Sequence, residues 1–171
     1  MIRTGIGFDI HRFATGRKLI LGGIEIPHSE GLDGHSDADV LCHALADALL
    51  GAIADGDIGQ HFPNTDPRWK NADSVELLRH VVGRVVAKGL RVVNVDCVIT
   101  AEKPKVMPYA QRMRERLAPV LGVGLDGVSI KATTMEGLGS IGRGEGIAVM
   151  AVATVEKTRK RNPESVVFPS P

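Results

Sequence analysis

The chain has 171 residues, 43% hydrophobic and 24% charged, with 21 lysines and arginines against 20 aspartates and glutamates. That composition suits one soluble globular domain with a core of its own, and a net charge of +1 gives no overall field for nucleic acid or an anionic membrane surface. Two cysteines, Cys42 and Cys97, stand in no metal-type spacing, no apolar run is long enough to span a bilayer, and the N-terminal MIRTGIGFDIH lacks the apolar region of a signal peptide, so a reducing, cytoplasmic setting is expected.

Residues 2–11 read as a strand, with Ile2, Ile6, Phe8 and Ile10 on one face. LILGGIEIP (19–27) reads as a hairpin turning at Gly22-Gly23. A loop leads to a helix over 37–54, where Val40, Leu41, Ala44, Leu45, Ala48 and Leu49 recur at helical spacing. Residues 56–69 are rich in turn formers and read as loop. A second helix covers 74–88 and stops at Gly89. Residues 91–100 form a strand with Val93, Val95, Cys97 and Ile99 on its apolar face, and 108–121 a third helix with Pro108 in its first turn. A strand over 128–133, a glycine-rich loop over 136–146 and a last strand over 147–156 complete the domain. This order predicts an α/β sandwich, one sheet with helices packed on it.

The last strand is apolar on both faces. Ile147, Val149, Ala151, Ala153 and Val155 alternate with Ala148, Met150, Val152 and Thr154. Three helices cover one face of such a sheet; the other needs a partner, most simply a second copy of the chain. Residues 1–156 are thus expected as a single domain and 157–171, basic and proline-rich, as a flexible tail.

Chemistry concentrates in a few places. Asp9 and His11, two apart on a strand, project from the same face and suit two ligands of one ion. His43 shares a helix face with Asp39 and Asp47, either of which could orient its imidazole, and it is the third candidate ligand. One aspartate and two histidines with a fourth position open suit a catalytic zinc. Ser36 is a candidate cap of the 37–54 helix, with Asp39 three residues on, and that helix N-terminus beside His35 suits a phosphate. Lys103 and Lys105 end one strand; Thr133, Thr134, Glu136 and Arg143 sit among five glycines after another. This is neither a Walker loop nor a dinucleotide fingerprint.

Together GFDIHRF, LGGIEIP, GHSDADVLCHALADALLGA, GDIGQHFPNTDP, KPKVMP and KATTMEGLGSIGRGEGIA, in this order, resemble the 2-C-methyl-D-erythritol 2,4-cyclodiphosphate synthases over nearly the whole chain up to the tail. The resemblance implies an α+β sandwich with one mixed sheet, helices on one face, the other face buried in a homotrimer, and active sites between neighbouring subunits. It implies a zinc-type ion on Asp9, His11 and His43, and a magnesium or manganese ion on Glu136 with the substrate diphosphate. His35 and Thr134 would stabilise the transition state. Asp57 and Gly59 would meet the ribose, and Ala101, Lys105, Met107, Thr133 and Thr134 the cytidine diphosphate. Ser36, Ile58, Phe62, Asn64, Thr65, Asp66, Val106, Met135, Ser140 and Arg143 would line the remaining substrate surface. Asn64, Met135 and Ser140 depart from the usual pattern, the last by removing bulk near the trimer axis.

The implied substrate is 4-diphosphocytidyl-2-C-methyl-D-erythritol 2-phosphate, whose own 2-phosphate attacks the β-phosphorus and expels CMP. No nucleophile–base pair is evident, and none is needed, because a phosphate monoester is already largely ionised at neutral pH. A metal-dependent phosphodiesterase and a non-catalytic trimeric cytidine-nucleotide sensor are the rival readings of the same residues.

Overall fold

Two glycines decide how closely the layers of this molecule approach. In the computed structural model, which describes residues 1–158, strand β1 (Ile2–Ala14) lies against helix α1 (Val40–Ala52) with Gly5 and Gly7 facing it. A Cβ on Gly5 would sit 2.0 Å from the Ala48 carbonyl oxygen, and one on Gly7 2.0 Å from that of Ala44. Ala44, Ala48 and Ala52 answer from the helix side, so small residues on both partners bring the two backbones together.

The hairpin of β2 (Leu19–Leu21) and β3 (Ile24–Ile26) turns at Gly22-Gly23, both with positive φ, as the sequence predicts. Strand β4 (Gly31–Leu32) pairs with the end of β1. The stretch read as loop over 56–69 holds a one-turn helix, α2 (Ile58–His61), and a 3-10 turn at Pro67–Trp69. Helix α3 (Ser74–Ala87) leads into β5 (Leu90–Thr100); a 3-10 turn at Met107–Tyr109 leads into α4 (Ala110–Leu121), so Pro108 precedes that helix. Strand β6 (Val128–Thr133), the short α5 (Gly139–Gly142) within the glycine-rich loop, and β7 (Gly146–Lys157) follow.

The main sheet runs β4-β1-β7-β5-β6, with β5 and β6 parallel and the other pairs antiparallel. It is therefore mixed, and α1, α3 and α4 all pack on one face. Ile147, Val149, Ala151, Ala153 and Val155 are fully covered by those helices. The opposite face carries Ile6, Phe8, Ile10, Met150 and Val152, all exposed in the single chain.

Three further expectations need correction. A β-bulge at Val93 shifts the register of β5, so Val92 takes its place on the core face with Val95, Cys97 and Ile99. Helix α1 starts at Val40, capped by Asp39 instead of Ser36. Strand β7 continues through Lys157, whose N–H donates to Met1, and Thr158 donates to Gly89, so these two residues, expected in the tail, are tied to the fold. The rest of that tail, 159–171, lies outside the described residues.

Asp39 joins the hairpin to the helix. Fully buried, it accepts N–H groups from Gly22 (2.9 Å), Gly23 (2.7 Å), Leu41 and Cys42 (both 3.1 Å), and the Cys42 thiol at 3.2 Å. An Asp39→Ala variant leaves those donors buried without partners and loses a helix cap. We expect about 3 kcal/mol of lost stability, read as a lower urea midpoint at unchanged slope; a loss below about 1 kcal/mol would contradict this role for the carboxylate.

Candidate active site

Strand β1 and helix α1 approach closely, and at one end of that contact three polar side chains converge. Asp9 and His11, on the helix-facing side of β1, meet His43 from the first turn of α1. His11 Nε2 lies 2.9 Å from Asp9 Oδ2 and 3.2 Å from His43 Nδ1; His43 Nδ1 lies 3.0 Å from Asp9 Oδ2. Among the described residues this is the one cluster of histidine, cysteine and acidic side chains with such convergence. Metal–ligand bonds of about 2.0–2.2 Å at tetrahedral angles separate ligand atoms by roughly 3.3 Å, so the three atoms stand where one divalent ion can take all of them.

The outer nitrogens are also held. His11 Nδ1 pairs with the Asp33 carbonyl, and His43 Nε2 lies 3.1 Å from the Ser36 hydroxyl and 3.0 Å from that of Ser74. Neither carboxylate expected to orient His43 does so: Asp39 caps the helix, and Asp47 accepts the Ile58 N–H at 2.7 Å. The expected phosphate site at the helix N-terminus is likewise closed, because Asp39 occupies it. Ser36 lies 6% exposed, and its hydroxyl accepts the Ala38 N–H.

Burial opposes charge on Asp9, but hydrogen bonds from His11 and His43 outweigh it and hold the carboxyl well below its usual range. Burial likewise opposes charge on His11, yet the hydrogen bond and charge of Asp9 raise its pKa above the ordinary value. The lowered Asp9 stabilises the fold above its unfolded value of 3.8, and this is lost as pH falls toward the folded value. The raised His11 stabilises fully below 6.5, and this is lost as pH rises through the folded value. The contribution of this pair to the melting temperature of chelated protein should therefore be greatest between about pH 4 and 6.5. A bound metal competes with the His11 proton, so added zinc should raise the melting temperature more at pH 8 than at pH 6. Equal increments at both would contradict a histidine-bound ion.

The cluster opens into a cavity of about 320 Å³. Of the expected site residues, Asp9, His11, His35, Ser36, His43, Ile58, Gly59, Phe62 and Asn64 line it. Asp57 instead caps α2 by accepting the Gln60 N–H, and Asp66 pairs with Arg68 while its carbonyl meets His35 Nε2 at 3.3 Å. Neither these two nor Thr65 line the cavity. Trp69 and Leu77 do, and sequence reasoning missed both. Trp69 stacks edge-on against Phe62 at 5.0 Å between centroids, an arrangement no periodicity announces.

The remaining expected residues lie elsewhere. Ala101, Lys105, Val106, Met107, Thr133, Thr134, Met135 and Glu136 follow the ends of β5 and β6. Asp9 pairs with Val149, Val149 with Ile99, and Ile99 with Ala132, so two strand spacings, roughly 10 Å, separate the residues after β5 from the metal cluster in one chain, and three, roughly 14 Å, those at the end of β6. Ala101 and Val106 are buried, leaving mainly backbone groups to meet a ligand. Thr134 Oγ1 donates to Glu136 at 2.7 Å, and Glu136 itself has a φ of 51°. Glu102, also missed, accepts the Met135 N–H at 2.9 Å and so fixes this loop. Arg143 pairs with Glu145 at 2.7 Å, and Ser140 borders a separate hollow of about 560 Å³ around Ile10 and Arg12.

A model of the YgbB family matches residues 2–156. The chain is 60% identical over 156 residues to a 2-C-methyl-D-erythritol 2,4-cyclodiphosphate synthase of Ectopseudomonas mendocina, covering 91% of this chain and 99% of that one. The bifunctional IspDF of Campylobacter jejuni superposes with a TM-score of 0.89 at 42% identity, over 92% of this chain and 43% of that one. A 2C-methyl-D-erythritol-2,4-cyclodiphosphate synthase in a CDP-bound form superposes with a TM-score of 0.83 at 36% identity, over 90% of this chain and 100% of that one.

Proposed function

The chain belongs to the YgbB family, and from that premise we propose that it closes 4-diphosphocytidyl-2-C-methyl-D-erythritol 2-phosphate into 2-C-methyl-D-erythritol 2,4-cyclodiphosphate, releasing CMP, in isoprenoid precursor synthesis. The observation that carries the reading is the convergence of Asp9, His11 and His43 on one point beside the cavity. A 2-phosphate oxygen forms a bond to the β-phosphorus; the bond from that phosphorus to the α–β bridging oxygen breaks, and CMP leaves with the electron pair. No protein nucleophile enters, so this chain's residues position the two ends and neutralise charge.

Asp9, His11 and His43 can hold a divalent ion. Zinc is the ion we assign there, with magnesium or manganese on Glu136. When bound, these ions supply Lewis-acid polarisation of the diphosphate and neutralise its charge. His35 sits in the cavity to meet the migrating phosphate, while the Thr134 hydroxyl and Lys105 ammonium donate where charge develops on the diphosphate. Phe62 and Trp69 exclude water from the erythritol side, which favours the ring over the hydrolysed product.

We further propose that the nucleotide end is supplied by a neighbouring copy. The gap of roughly 10–14 Å within one chain and the bare apolar sheet face both support this. The oligomer expected is a homotrimer in the cytoplasm. Among the described residues, no helix is long and apolar enough to cross a membrane. Phe8→Asp places a charge on that face, with Phe8 56% exposed in the single chain. It should weaken self-association at least about a hundredfold, seen by analytical ultracentrifugation, and abolish turnover. An active Phe8→Asp monomer would refute the shared site.

Phosphorus NMR of the protein with the cytidylyl substrate, zinc and magnesium tests the reaction. A cyclic diphosphate rising in step with CMP is expected. CMP with an open-chain bisphosphate would make the protein a phosphodiesterase. Bound but unchanged substrate would make it a nucleotide sensor.

A further inference from the structure

Beyond His43 Nε2, Ser74 and Asp37 form a chain of hydrogen bonds that the reaction above leaves unused, with Ser36 of the cavity wall beside them. Ser74, the first residue of α3 and 1% exposed, donates its hydroxyl proton to Asp37 Oδ1 in a short hydrogen bond. Its backbone N–H donates to the other oxygen of the same carboxylate at 3.2 Å. The Ser74 oxygen then faces His43 Nε2 at 3.0 Å and the Ser36 hydroxyl at 3.1 Å.

Proton counting decides the direction of these contacts. A hydroxyl has one proton, and an ionised carboxylate can only accept. With its proton committed to Asp37, Ser74 has none for His43 and can only receive one. His43 Nε2 must therefore carry the hydrogen in this contact, and an imidazole that keeps this hydrogen has Nδ1 as the nitrogen left to bind a metal, which would displace the hydrogen that Nδ1 shares with Asp9 in the metal-free site. Nδ1 is the atom facing Asp9 and His11. We propose that Ser74, held by Asp37, is a positioning residue that keeps His43 in the tautomer and ring orientation whose Nδ1 is free for the metal. Ser36 supports the arrangement: its hydroxyl can donate to the remaining Ser74 lone pair, which leaves Nε2 as a donor. The device links the N-terminus of α3 to a ligand on α1, so that the metal site senses the docking of a second helix. It deepens the metal reading above and rests on it.

The test uses the full chain, stripped of metal by a chelator and titrated with zinc alone and with cobalt alone. Ser74→Ala removes the hydroxyl but leaves the Asp73 cap of α3 untouched. Asp37→Asn keeps the Ser74 side chain but leaves one accepting oxygen for three donors, the Ser74 hydroxyl, the Ser74 N–H and the Asp39 N–H, and turns an NH2 toward the rest, which loosens the hold on the Ser74 proton and lets it turn toward Nε2. Both variants should bind zinc roughly 10–100-fold more weakly in chelator competition. Both should alter the visible absorption of the cobalt-loaded protein and shift the His43 Nε2 proton resonance of the zinc-loaded one. A role confined to filling space would be disturbed by Ser74→Ala and spared by Asp37→Asn. Wild-type affinity and an unshifted resonance in Asp37→Asn overturn the proposal while leaving the Asp9–His11–His43 site standing. A wild-type protein that takes up no zinc, or a His43→Ala variant that binds it undiminished, overturns the site itself.

Discussion

Replacing His43 with alanine should empty the metal site and stop turnover while leaving a folded protein. Two ligand atoms remain on β1 after the change, Asp9 Oδ2 and His11 Nε2, too few for a stable catalytic site of this type. The imidazole sits at the edge of a cavity, not in the core cluster, so its removal opens little new void. We expect turnover to fall about a thousandfold or more, the equivalent of several kcal/mol of charge stabilisation, with the melting temperature of chelated protein within a few degrees of wild type. Metal analysis alongside phosphorus NMR checks both parts. A variant with full zinc content and full activity would sink the ligand assignment.

The second large effect concerns stability. Gly7→Ala adds one methyl carbon, and that carbon would lie 2.0 Å from the Ala44 carbonyl oxygen and 2.7 Å from the Ala48 nitrogen. Both are backbone atoms of α1, so no rotamer change relieves the clash. The strand must leave the helix, and with it goes the closest contact in the core. A loss of about 4 kcal/mol or more is expected, enough to unfold much of the protein at physiological temperature. Gly51→Ala is the control. It lies in α1, where a Cβ would meet nothing nearer than the Ile6 carbonyl at 3.8 Å, so the change should be neutral or stabilise by up to about 1 kcal/mol. Thermal melts of the two variants, side by side, separate close approach from a general dislike of added bulk. Equal stability of both would remove the argument.

Much of this architecture is legible in the order of the residues. Strand β6 falls on 128–133 as read, because alternation survives there without interruption. The Asp9–His11 pair is visible because a strand fixes which neighbours share a side, and His43 lies on the one helix that the glycines of β1 admit. The failures are equally physical. The bulge at Val93 inserts one residue into an otherwise regular pattern, and the adjacent pair Val92-Val93 hides the change of face. Ser36 and Asp39 are both acceptable caps by residue type; the choice rests on Gly22 and Gly23, which bring two more donors to Asp39 from a hairpin far earlier in the chain. Ser74 and Glu102 act through partners distant in sequence, and Trp69 meets Phe62 across an irregular loop; no regular spacing reports such contacts.

Strand β1 divides its work by parity. Odd positions give Gly5, Gly7, Asp9 and His11, which face the helix; even positions give Ile6, Phe8 and Ile10, which face outward. Substitution can therefore alter one set while the other stays as it is, so the outward side is free to drift among lineages independently of the helix-facing one. Insertion or deletion has no such freedom. One residue gained or lost between Gly7 and Asp9 would put the two glycines and the Asp9–His11 pair on opposite faces of the strand, ruining either the packing or the polar cluster in a single event. The length of this segment should thus be far more strictly inherited than the identity of its outward residues.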